Sequence, residues 1–118
     1  MSNRKYNWRK VFNSESEIKL PGNTIGVIDF EGKTICITNF NGRWFAFAHS
    51  CPHAGAPLDQ GCIDSKGNVV CPVHNYKFNI ANGKFANFEG FHLKTYPVEL
   101  RTDGVFIGVR KEGLFSWF

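Results

Sequence analysis

No apolar run in this chain is long enough to cross a membrane, and residues 1–20 lack the apolar core of a secretion signal. Periodicity gives no helix longer than about two turns, which excludes bundles, coiled coils and doubly wound α/β architectures. There is no internal repeat, which excludes solenoids and propellers, and no linker-like stretch. A glycine fingerprint for nucleotides is missing, so neither flavin nor nicotinamide has a site. Aromatic and basic residues do not alternate along any stripe, which argues against a nucleic-acid platform. With no export signal, a cytoplasmic, reducing location is the expectation, and the four cysteines read as ligands or buried thiols rather than disulfides.

The 118 residues are instead rich in turn and strand formers, with twelve Gly, twelve Phe and 15% aromatics. The net charge of +4 is concentrated at the start, where Arg4, Lys5, Arg9 and Lys10 face no acid within ten residues. Beyond them ten basic residues balance ten acidic ones, so the bulk of the chain is neutral. The basic start reads as a solvated first strand. Length and pattern predict one domain over 1–118, with a β-scaffold at about 6–49 and 80–112 and looped structure at about 50–79.

Strands are expected at Tyr6–Phe12, Thr24–Phe30, Lys33–Phe40 and Arg43–His49. The last three are joined by Glu31-Gly32 and Asn41-Gly42, and Asn-Gly between apolar runs is a strong hairpin signal because both turn residues need positive φ. Short strands are expected at Val69–Val70 and Tyr76–Phe78, and a further turn at Asn82-Gly83. A last hairpin is expected from Lys94–Arg101 and Val105–Arg110 across Asp103-Gly104. The class is all-β, a small antiparallel sandwich or open barrel with one long loop excursion.

That excursion carries the chemistry. Cys51-Pro52-His53 and Cys71-Pro72-Val73-His74 are two short hooks, each with one thiol and one imidazole, separated by seventeen residues. Zinc sites usually pair like with like within a hook. One Cys and one His per hook suits two bridged irons, one taking Cys51 and Cys71 and the other His53 and His74, as in a [2Fe–2S] cluster with two His. Pro52 and Pro72 fix φ just after each thiol and remove one donor, so the remaining loop amides are free to point at sulfur. A zinc-binding interaction module is the reading this chemistry leaves open.

The stretch resembles the Rieske family. Cys51-Pro52-His53-Ala54-Gly55-Ala56-Pro57-Leu58 is similar to its first cluster loop. Cys71-Pro72-Val73-His74 followed by Tyr76-Lys77-Phe78 is similar to its second, and Gly83, Leu93, Tyr96 and Val98 match its returning strands. The resemblance runs over about residues 24–110. It implies a Rieske-like β-fold with a two-loop cluster-binding subdomain, and one [2Fe–2S] cluster per chain on Cys51, His53, Cys71 and His74. Asn75 stands where the family usually has Gly, and Asn is the residue that best tolerates positive φ there.

Two neutral His in place of thiolates leave the oxidised site without net charge, so an electron is added more easily. Rieske potentials span about −150 to +300 mV, against about −400 mV for plant-type ferredoxins. The high-potential respiratory members have two more Cys, where this chain has Ala56 and Val73, and a Ser donor, where it has Tyr76. The resemblance therefore implies the low-potential type: a ferredoxin that is not itself an enzyme, carrying single electrons from a reductase to a terminal oxygenase. The small subunit of an assimilatory nitrite reductase is the alternative the family offers. Cys36 reads as a buried strand thiol and Cys62 as a packed or half-exposed one, while His49 and His92 read as ordinary surface or core residues, with support of the cluster ligands as the alternative. The apolar tail Leu114-Phe115-Ser116-Trp117-Phe118 is expected to pack back on the scaffold.

Overall fold

The computed structural model describes residues 5–86 and 90–111. The strands are β1 Tyr6–Phe12, β2 Ile25–Phe30, β3 Lys33–Phe40, β4 Arg43–Ala48 and β5 Cys62–Ile63. They continue with β6 Asn68–Val70, β7 Lys77–Asn79, β8 Thr95–Tyr96, β9 Val98–Arg101 and β10 Gly104–Arg110. Single 3-10 turns occur at Glu15–Glu17 and Leu58–Gln60. The described residues fall into two compact units, one of residues 5–18 with 96–111 and one of residues 19–86 with 90–95.

In the first unit β1, β10 and β9 form an antiparallel sheet in that order. Trp8 lies opposite Gly108, where a Cβ would sit 3.2 Å from the indole ring, so the glycine makes room for the tryptophan. The Arg101 guanidinium lies over the rings of Phe106 at 4.2 Å and Trp8 at 5.5 Å. The β9–β10 turn is Thr102-Asp103, since Gly104 already pairs with Arg101, one residue earlier than the Asp103-Gly104 reading. Pro97 splits the expected strand Lys94–Arg101 into β8 and β9, because proline has no N–H for the ladder.

The second unit is built on the meander β2-β3-β4, with β8 at the edge of that sheet, where the chain passes from one unit to the other. Both of its hairpin turns have left-handed residues, Glu31 and Gly32 at φ 51° and 80°, Asn41 and Gly42 at 54° and 83°. Ile35, Cys36, Ile37 and Thr38 at the centre of β3 are all buried, which makes β3 the spine of the unit. Thr38 satisfies its hydroxyl by donating to the Thr24 carbonyl at 2.6 Å. A second antiparallel sheet, β5-β6-β7, holds the looped region. The core runs continuously from Ile25, Cys36 and Phe47 to Val69, Phe78 and Leu93, and takes in Cys51 and Cys71. The hooks are thus seated on packed residues. The expected C-terminal tail packing falls outside the described residues.

Candidate metal centre

The two hooks have one backbone design. In the first, the Cys51 N–H donates to the Ala56 carbonyl at 2.9 Å and the Gly55 N–H to the Cys51 carbonyl at 2.7 Å. In the second, the Cys71 N–H donates to the Tyr76 carbonyl at 2.7 Å and the Asn75 N–H to the Cys71 carbonyl at 3.0 Å. Gly55 and Asn75 hold the same left-handed corner, at φ 74° and 58°, so asparagine does the work of the usual glycine. The His is third in the first hook and fourth in the second.

Their side chains sort by element. Cys51 and Cys71 are each 2% exposed and lie within contact of one another. Burial pushes the Cys51 thiol up. The N–H groups of His53 and Ala54, which donate to its sulfur, act in the opposite direction, and the Cys71 thiol alongside adds to the rise. A cation bound between the two sulfurs would favour the thiolate form of both. The amides that Pro52 leaves free are aimed at sulfur, as the sequence led us to expect.

The imidazoles of His53 and His74 form the second pair, with ring centroids 5.2 Å apart at 73°. His74 is exposed, whereas His53 is half-buried. Tyr76 covers the His53 ring at 4.2 Å, and Phe91 meets it edge-on at 5.3 Å. The Nδ1 of His53 is buried with no hydrogen-bond partner. An orphaned ring nitrogen in a packed site is costly unless something else binds it. Among the described residues no group of three His, Cys, Asp or Glu could hold a single ion, whereas the two thiols lie against each other and the two imidazoles against each other. A thiol pair, an imidazole pair and an orphaned nitrogen fit a two-iron cluster with two ligands per iron.

Cys36 is fully buried, and burial, with the Asp59 charge as a lesser cause, pushes its thiol up to about 12. Cys62 is exposed on β5. His92 is exposed and forms an isolated antiparallel bridge with Lys84, outside the strands. The contact of Tyr76 and Phe91 with His53 was not legible beforehand, since Phe91 lies in an irregular segment without periodicity. Nor was the pairing of His49 with Asp59, whose Nε2 and Oδ1 are 2.6 Å apart. Ten residues separate the two, and no helix or strand spacing links them.

The family model for the Rieske [2Fe-2S] domain matches residues 7–97, and the chain belongs to that family. Its cofactor is a [2Fe–2S] cluster. Apoptosis-inducing factor 3 of Homo sapiens is 37% identical over 84 residues, 70% of this chain and 14% of that protein. The chain therefore spans only about a seventh of the length of that relative. The 3-phenylpropionate/cinnamic acid dioxygenase ferredoxin subunit of Photorhabdus laumondii is 30% identical over 79 residues, 66% of this chain and 75% of the subunit. Among solved structures, a chain of the complex of reduced oxygenase and oxidized ferredoxin in carbazole 1,9a-dioxygenase superposes with a TM-score of 0.72. That match covers 88% of this chain and 94% of the other at 24% identity, which shows the fold. Among the described residues no helix is long and apolar enough to cross a membrane.

Proposed function

We propose that the chain is a one-electron carrier of the low-potential Rieske type, with one cluster held by Cys51, His53, Cys71 and His74. The observation that carries the assignment is the sorting of the four side chains into a buried thiol pair and an imidazole pair with His53 Nδ1 left unpartnered. When bound, the cluster supplies a site that takes up and releases one electron. The chain's own residues divide the remaining work. Cys51 and Cys71 form the dry end, buried in the core, and the His53 and Ala54 amides donate to the Cys51 sulfur. Tyr76 and Phe91 shield His53, while exposed His74 presents the site to a partner. Val73, 52% exposed between Cys71 and His74, adds an apolar contact beside it.

By analogy with the dioxygenase ferredoxin subunit, the donor is a reductase and the acceptor a terminal oxygenase, all in the cytoplasm. Residues 1–118 are taken as a single Rieske domain, with residues 50–79 as its cluster-binding part. Anaerobic purification followed by iron and sulfide analysis and electron paramagnetic resonance of the dithionite-reduced protein is the test. Two irons per chain and a Rieske-type signal are expected. A colourless, zinc-loaded protein would overturn the reading, and co-purification with a large sirohaem subunit would replace the oxygenase with a nitrite reductase.

A further inference from the structure

The hooks share a shape but not a base. The second hook grows out of a hairpin: Val70 pairs with Lys77, Val69 with Phe78 and Asn68 with Asn79, so a three-residue ladder closes it. The first hook leaves the end of β4 and enters the 3-10 turn Leu58–Gln60. Its backbone closure is the single isolated bridge Ser50–Pro57, made by the Leu58 N–H donating to the His49 carbonyl at 2.8 Å and the Cys51 N–H to the Ala56 carbonyl at 2.9 Å.

Side chains fill the difference. His49 precedes Cys51 by two residues, and its Nε2 lies 2.6 Å from Asp59 Oδ1, on the turn that follows the hook. A carboxylate only accepts, so Nε2–H is the donor and the bond is charge-assisted. The other Asp59 oxygen accepts from Gln60 Nε2 at 2.9 Å. From the strand-entry loop before β2, Asn23 Nδ2 donates to the Asp59 carbonyl at 2.7 Å and to the Gly61 carbonyl at 2.9 Å. One side of the base is therefore tied to the other by His49–Asp59, and the turn is tied to the meander by Asn23.

We infer that His49, Asp59 and Asn23 form a clamp that substitutes for the missing ladder, and that they are positioning residues for Cys51 and His53. This rests on the assignment of those two residues as ligands. The clamp holds the span of the hook constant, and with it the direction in which His53 Nδ1 points.

The experiment uses the cluster-loaded protein. Loss of visible absorbance in excess chelator is followed for wild type, His49→Ala, His49→Gln, Asp59→Ala and Asp59→Asn, beside far-UV melting curves and the g-values of the reduced cluster. His49→Ala and Asp59→Ala are expected to lose the cluster roughly tenfold faster, the effect of one charge-assisted hydrogen bond. Their g-values should shift, while His49→Gln and Asp59→Asn, which keep a donor and an acceptor, stay within about twofold of wild type. Release from His49→Ala at the wild-type rate would overturn the inference. So would loss of the fold in step with loss of the cluster and without rescue by Gln, since that is the behaviour of ordinary packing. Wild-type protein without two irons would instead refute the ligand assignment itself.

Discussion

Replacing Gly83 by alanine separates two ways in which a glycine can be required. Gly83 has φ 78°, and an added Cβ would stand 1.9 Å from the Leu93 carbonyl oxygen and 3.1 Å from His92 Nε2. The approach is held by two short backbone bonds, from the Leu93 N–H to the Gly83 carbonyl at 2.8 Å and from the Gly83 N–H to the Asn79 carbonyl at 2.7 Å. The first ties residue 93 directly to residue 83 and the second holds Gly83 in its turn, so relief of the contact strains one or the other. Gly32 is the control, because its φ of 80° is nearly the same and a Cβ there would meet nothing within 4 Å. Alanine at 32 costs only the left-handed conformation, about 1 kcal/mol. At 83 the same term is joined by overpacking against backbone, at the upper end of about 1–3 kcal/mol, for a total of about 4 kcal/mol. For a chain of this size the melting temperature should fall by about 4 °C for Gly32→Ala and about 15 °C for Gly83→Ala. Urea titrations at equal cluster loading measure both. A difference between them below about 0.5 kcal/mol would show that the close approach of residues 83 and 93 is not enforced, and the reasoning from van der Waals contact would fail.

Redox titration is expected to give a midpoint in the lower part of the Rieske range, below about 0 mV, because Ala56, Val73 and Tyr76 supply neither the extra loop-bridging thiols nor the hydroxyl donor of the respiratory members. A midpoint well above zero would refute this. Alkylation of the native, cluster-loaded protein at pH 8 should modify exposed Cys62 and spare Cys36, whose burial raises its thiol to about 12. Peptide mass mapping that found Cys36 labelled at the same rate would show that the β3 spine opens.

Where local chemistry decides structure, the sequence was enough. Asn41-Gly42 and Glu31-Gly32 appear as left-handed turns, and the meander they connect has the expected strands to within a residue or so. Pro97 marks the break between β8 and β9, as a proline inside a strand pattern does. The turn Leu58–Gln60 had no helical period to announce it. The four proposed ligands stand out in the sequence because each hook is a contiguous motif. The surroundings of His53 do not, because Tyr76 and Phe91 reach it through the fold rather than along the chain. The same holds for Asn23, which meets Asp59 across thirty-six residues. Contacts of that range depend on how strands stack, and no spacing rule encodes them.

The matching bonds that close the two hooks also bear on how the protein is made. Each hook is stapled by two backbone hydrogen bonds and a left-handed corner of its own, and each Cys sits on a common apolar floor with Leu58 and Phe78. Each hook's own bonds therefore narrow the backbone conformations open to it. Less ordering entropy is then left to be spent when a cluster binds.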